Sequence, residues 1–231
     1  MVDNHYFDRE LFVFLQELTK HNNREWFQSN KARYEKEVRD PFLRFIADLG
    51  PALKKINPYI VADPSIVGGS MMRIYRDIRF SKDKSPYKTS VAAHFWDARG
   101  KDGATPAYYL HLAPAQSSIG SGIWRPESNA LNKIRKAIVN SSDKWKKITS
   151  GRDFRSTCGM AGESLHRPPA GFDPNHPLIE DIKRKDFITS SPRLSDREVC
   201  GENFADHVLD YFRATAPFLR FLSEAVGLRS N

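Results

Sequence analysis

Residues 70–96 read SMMRIYRDIRFSKDKSPYKTSVAAHFW, and the texture of this stretch decides the fold class. SMMRIYR and YKTSVAAHFW are short runs rich in aromatic and β-branched residues, bounded by Ser, Asp and Pro, which is strand composition. Pro86 bars a regular helix from running through the stretch. The expectation is a strand, a hairpin-like loop and a second strand. Two similar runs follow, AYYLHLAP at 107–114 and SSIGSGIWRP at 117–126, and these predict neighbouring antiparallel strands. In the first of them Tyr109 and His111 share one face while Tyr108, Leu110 and Leu112 share the other. The partly polar face can line a site.

Helices are predicted on both sides. Residues 9–19 place Leu11, Phe12, Phe14, Leu15 and Leu18 on one helical face, with Asp8 as N-cap. After the interruption at Asn22-Asn23, residues 22–38 predict a second helix burying Trp26, Phe27, Tyr34 and Val38. Pro41 opens a third, with Phe42, Phe45, Ile46, Leu49 and Leu53 as its stripe, ending at Asn57-Pro58. Beyond the strands, ESNALNKIRKAIV at 127–139 is helical and SDKWKKI adds another turn or two. Residues 165–177, LHRPPAGFDPNHP, form a proline-rich loop, and residues 202–227 supply a closing helix pair or a helix kinked at Pro217. The order of elements predicts an α+β fold in one domain spanning residues 1–231: N-terminal helices, a central mixed or antiparallel sheet, and further helices packing on one face.

Composition narrows the function classes. A chain of 231 residues with 40% hydrophobic content is long enough for a core and excludes intrinsic disorder, and 13 glycines with 14 prolines exclude a collagen-like chain. The formal net charge of +8 favours anionic partners. It is concentrated: residues 71–90 carry six Lys/Arg against two Asp, and residues 133–155 eight against two. The two cysteines, Cys158 and Cys200, lack paired spacing and predict free thiols. Neither a signal peptide nor an 18-residue apolar run is present, which predicts a cytoplasmic protein with no membrane partner.

The hairpin stretch gathers Arg73, Arg76, Arg79, Lys82, Lys84 and Lys88 around one concavity, where Arg forks and Lys point charges suit a phosphate or carboxylate. SIGSGIW at 118–124 adds Gly120 and Gly122, which let backbone N–H groups approach an anion closely. The segment from His166 to Lys185 adds Arg167, His176 and Lys183. Together these predict an anion-binding pocket for a small phosphorylated or carboxylated ligand. The competing expectation is a solvated loop in which Asp77 and Asp83 pair with neighbouring cations. A second function class is a nucleic-acid binding factor in which Tyr87, Tyr109, Phe95 or Trp124 stack bases beside a basic groove. Its metal-dependent form would use Asp77 with Asp181-Ile182-Lys183. No G-x-S-x-G, H-E-x-x-H, Walker or dinucleotide motif occurs. No metal-ligand set is therefore assigned, and no motif specifies a reaction, a cofactor or an oligomeric state.

RDIRFSKDKSPYKT, the opening FLQELTKHNNREWFQSNKARYE, YYLHLAP followed by SSIGSGIWRP, and RPPAGFDPNHPLIEDIKRKDF together resemble a bacterial and fungal family, domain of unknown function 2461. The resemblance covers roughly residues 7–225. Its motifs fall on Arg73, Arg76, Asp77, Arg79, Phe80, Lys82, Asp83, Lys84, Pro86, Tyr87 and Lys88, on Gly120, Gly122 and Trp124, and on Arg167, Gly171, Phe172, His176, Pro177, Lys183 and Asp186. It implies no activity, substrate or cofactor.

Overall fold

The computed structural model describes residues 5–100 and 105–228. Its N-terminal part is helical: α1 (Arg9–Lys20), α2 (Arg24–Ser29), α3 (Lys31–Tyr34) and, after a π-helical turn at Glu35–Arg39, α4 (Asp40–Ile56). Three strands follow, β1 (Val91–Trp96), β2 (Ala107–Leu112) and β3 (Ser118–Ile123). After these come α5 (Ser128–Asn140), α6 (Ser142–Thr149), α7 (Arg152–Thr157), β4 (Gly159–Ala161), α8 (Ile179–Ile182), β5 (Phe187–Ser190), α9 (Asp196–Val199) and α10 (Phe204–Val226). The strands form an antiparallel sheet in the order β1-β2-β3-β5-β4, so the fold is α+β.

Chain contacts divide the molecule into two compact units, each assembled from three segments. Unit 1 comprises residues 1–95, 109–119 and 193–210, and unit 2 comprises 96–108, 120–192 and 211–231. In unit 1 the predicted stripe of α1 is buried in full, and so is that of α4. Phe7 packs against Phe45 at 5.3 Å between ring centroids, and Phe45 stacks on Phe204 at 5.7 Å. Such aromatic contacts add directional preference to the area that they bury. In unit 2 the fully buried Trp145 lies against Phe187, Phe218 and Phe221. Strand β5 pairs with β3 in the register Gly120↔Ser190 and Gly122↔Ile188, and β4 pairs along its other edge.

Two local expectations are corrected and one pair of alternatives is resolved. The helix expected over 22–38 breaks at Asn30, whose side chain turns back to donate to the Trp26 carbonyl at 2.9 Å. From Lys31 the chain then runs helically into α4, and the π turn lies just ahead of Pro41, which has no N–H to continue an ordinary ladder. Of the two alternatives for residues 202–227, the single helix is the one found, α10 with Pro217 inside it. The run SMMRIYR contributes isolated bridges, Met71↔Ala93 and Tyr75↔Tyr87, and no regular strand.

Candidate functional site

The hairpin is a backbone construction. Ser70 O accepts from His94 N at 2.9 Å, Met72 N donates to Ala92 O at 2.8 Å, Lys88 N donates to Ile74 O at 2.7 Å, and Arg76 N donates to Pro86 O at 2.9 Å. Residues 70–76 thus run antiparallel to 86–94, through isolated bridges rather than through the regular first strand that was expected. Tyr87 anchors the second limb: its buried ring stacks on Phe27 at 4.0 Å.

At the tip, charge is distributed within the loop itself. Arg79 grips Asp77 through Nε and Nη2, the latter at 2.7 Å, and Arg76 pairs with Asp83. The Asp83 carboxyl also accepts from the Ser85 hydroxyl and N–H. That hydroxyl first, then the amide and Arg76, hold Asp83 far below the usual carboxylate range, and Arg79 holds Asp77 below it as well. Lys84 Nζ donates to Ile78 O at 3.0 Å, and Lys88 Nζ to Arg73 O at 3.1 Å. Arg73 and Lys82 are exposed and make no salt bridge among the described residues. Phe80 is 95% exposed, with the Arg79 guanidinium 5.8 Å from its ring centroid. Two of the six cations are therefore matched by carboxylates, and the loop keeps an excess of positive charge beside an exposed ring.

Immediately beyond Lys88 the chain enters the wall of a cavity of about 540 Å³, which lies within unit 1. Gln16, Thr19 and Lys20 of α1 form one side, and Thr89 and Ser90 another. His111 of β2, with Ala113, Pro114 and Gln116 of the following loop, completes it. That loop is fixed by its own polar groups. The buried Ser117 hydroxyl bonds both N–H and C=O of Ala113, and Ala115, at φ 56°, gives its N–H to the Asp196 carboxylate at 2.8 Å. His111 lies with Nδ1 3.4 Å from the Tyr109 hydroxyl, and burial holds its pKa below the usual value. The lining presents one lysine, three hydroxyls, two amides and an imidazole, with no carboxylate. The lysine is the one charged group of this lining, and its hydroxyls and amides can both donate and accept. The polar face of β2 was legible in the sequence. Gln16, Thr19, Lys20 and Gln116 were not, because polar residues on the outer side of an amphipathic helix or in a loop carry no distinguishing spacing.

Of the eleven residues predicted to bind the anion, Arg73, Arg76, Arg79, Lys82, Lys84 and Lys88 lie in unit 1 and the other five in unit 2. Gly122 sits at φ 126°, where an added Cβ would stand 2.0 Å from Phe187 O, so close strand approach demands glycine there. Gly120 opposes Ser190. Arg167 is exposed. His176 accepts from Leu178 N through Nδ1 at 3.1 Å, shaping the turn into α8, and Lys183 Nζ binds the Glu180 carboxylate at 2.9 and 3.0 Å. Asp181, considered above for metal binding, accepts from the Trp145 indole at 2.9 Å and pairs with Arg184 at 3.4 Å. Among the described residues no group of three or more His, Cys, Asp or Glu is placed to hold a metal ion.

Asp186, buried in unit 2, accepts from Arg125 N at 2.8 Å and Glu163 N at 2.9 Å. It thereby pins the left-handed Arg125, at φ 48°, whose guanidinium lies over the Trp124 ring at 4.8 Å. Gly162, at φ 91°, packs so closely that a Cβ would meet that of Asp186 at 2.5 Å. Both thiols are free, and burial raises each to about 11. Neither has the low pKa of a nucleophile.

The fold is α+β, and unit 1 carries a pocket, lined without a carboxylate, beside the basic hairpin. The model of the conserved hypothetical protein family DUF2461 matches residues 10–221, and the chain belongs to that family. No curated protein and no solved structure matches the chain. Among the described residues no helix is long and apolar enough to cross a membrane.

Proposed function

We propose that this protein binds a small phosphorylated or carboxylated molecule in the cavity of unit 1, with Lys20 as the charged anchor. His111 and the hydroxyls of Thr89 and Ser90 act as surrounding donors, while the Thr19 hydroxyl gives its proton to the Leu15 carbonyl at 2.9 Å. The observation that carries this reading is the lining itself: a cavity of about 540 Å³ falls in the size range of small-ligand sites, and it combines a cation and several donors with no acid. The hairpin cations, six against two aspartates, supply the longer-range attraction that draws an anion toward it. Free, high-pKa thiols suit a reducing compartment such as the cytoplasm. Native mass spectrometry of freshly purified protein tests the reading. The expected result is a co-purifying small anion that Lys20→Met protein lacks; equal retention by both proteins contradicts the assignment.

A second reading rests on Phe80. An almost fully exposed ring on a basic loop suits stacking with single-stranded nucleic acid. It predicts binding that Phe80→Ala weakens and that Lys20→Met leaves intact.

A further inference from the structure

Beside the Lys183-Arg184-Lys185 run of unit 2 lies one buried cation, Arg135, that has no carboxylate partner among the described residues. Residues 163–165 run antiparallel to 183–185: Leu165 N donates to Lys183 O at 2.8 Å, and Lys185 N to Glu163 O at 2.8 Å. Each side chain of the Lys183-Arg184-Lys185 run has its own carboxylate, Glu180 at 2.9 Å, Asp181 at 3.4 Å and Glu163 at 3.2 Å respectively. Arg135 reaches the same place from α5 and gives Nη2 to the main-chain carbonyl of Arg184 at 2.9 Å. It is only 8% exposed, its Nε is buried without an acceptor, and it makes no salt bridge among the described residues. Three of these four cations have a carboxylate partner, and the one without, Arg135, is the most withdrawn from water; the neighbouring buried carboxylate, Asp186, is taken up by the amides of Arg125 and Glu163.

Arginine cannot discharge itself by losing a proton at physiological pH. A buried cation held by a single carbonyl is unfavourable, and the surface ion pairs beside it, which contribute little, are the ones that are complete. The same guanidinium offers donors in a planar fork that fits two oxygens of a carboxylate or phosphate. Exposed Arg167 lies two residues beyond the 163–165 segment and adds positive charge on the solvent side.

We propose that Arg135 anchors an oxyanion site in unit 2, taking a phosphate or carboxylate group of a ligand against Arg135 beside the Lys183–Lys185 run. The site shares no residue with the cavity of unit 1.

The test is local. Arginine Nε–H signals are recorded by ¹H–¹⁵N spectroscopy on the whole protein while inorganic phosphate, or separately succinate, replaces chloride at constant ionic strength. The signal absent from Arg135→Lys protein identifies Arg135. The expected result is a saturable shift of that signal, unchanged in Lys20→Met protein, so that failure of the cavity assignment does not affect it. Response to phosphate alone assigns a phosphate ligand, and response to succinate a carboxylate. In chloride, Arg135→Met should melt at the wild-type temperature or above it, and the anion-dependent rise that remains in Lys20→Met protein should disappear when Arg135→Met is combined with it. An Arg135 signal that neither anion moves overturns the proposal and leaves Arg135 as a clamp on the Arg184 carbonyl. Should Arg135→Met fail to fold, the wild-type signal decides alone.

Discussion

Asn22 pairs with the backbone of Tyr87 as a neighbouring strand would: its amide donates to Tyr87 O at 2.9 Å, and its Oδ1 accepts from Tyr87 N at 3.1 Å. One side chain thus satisfies both backbone groups of a buried residue and ties the loop after α1 to the second limb of the hairpin. Thr89 and Ser90 are held two and three residues further along, opposite Gln16, Thr19 and Lys20 in the cavity wall. The placement of the cavity follows from this contact.

Asn22→Ala strands two part-buried backbone groups and should cost about 2–4 kcal/mol, a fall in Tm of about 4–16 °C for a chain of this size. Asn22→Asp should not rescue it, since a carboxylate cannot donate to the Tyr87 carbonyl. Thermal unfolding of the three proteins checks this, and an unchanged Tm for Asn22→Ala contradicts the anchoring role.

The thiols provide a second prediction. With pKa values of about 11, roughly one thiol in a thousand is ionised at about pH 8, against about a quarter for an ordinary cysteine. Iodoacetamide should therefore label the native protein at least about 100-fold more slowly than the unfolded chain. Both cysteines should alkylate in denaturant without reductant. An intact mass showing an intramolecular disulfide would contradict the prediction.

Burial keeps the pKa of His94 and of His111 below the ordinary value of 6.5. The unfolded chain then takes up protons at a higher pH than the folded one. Stability is therefore full above about pH 6.5 and is lost as the pH falls from there through the folded values. Asp77 and Asp83 have lowered pKa values and act elsewhere, losing their pairing only below the ordinary 3.8. The melting temperature should accordingly fall between about pH 7 and pH 5, and His111→Gln should flatten that fall. Sulfate, which does not titrate in this range, should also flatten it in wild-type protein by favouring the imidazolium in the cavity. A sulfate effect of equal size in His111→Gln would place the anion elsewhere.

The sequence disclosed the fold where side-chain period and burial agree. Leu11, Phe14, Leu15 and Leu18 on α1, and Tyr108, Leu110 and Leu112 on β2, form contiguous stripes, and all are buried. It did not disclose β4 and β5, which are three and four residues long: β5 pairs with β3 from more than 60 residues away in chain number, and β4 pairs only with β5. Too few residues carry the period there, and the pairing is decided by tertiary contact. The hairpin ladder was legible from Pro86 and its flanking aromatic residues. The ion pairs of Asp77 and Asp83 were foreseen as one of two alternatives, but the cavity was not foreseen. Its lining draws single polar residues from α1, from the residues after the hairpin, and from the loop after β2, and only His111 among them had been marked by its strand face. Asp186 shows a further limit: its residue type suggests acid chemistry, whereas its place is set by two backbone amides that it holds.

The most direct test of the anion-binding reading is calorimetric titration of inorganic phosphate and of a single-stranded oligonucleotide into wild-type, Lys20→Met and Arg79→Gln/Lys84→Gln proteins at about 50 and 200 mM salt. Phosphate binding in the cavity should survive at the higher salt, be lost in Lys20→Met protein and weaken only modestly in the hairpin variant. Oligonucleotide binding, which rests on surface charge, should lose on the order of a thousandfold in affinity over the same range. Phosphate binding that Lys20→Met leaves unchanged, or submicromolar oligonucleotide binding that persists at the higher salt and collapses in the hairpin variant, would contradict the account.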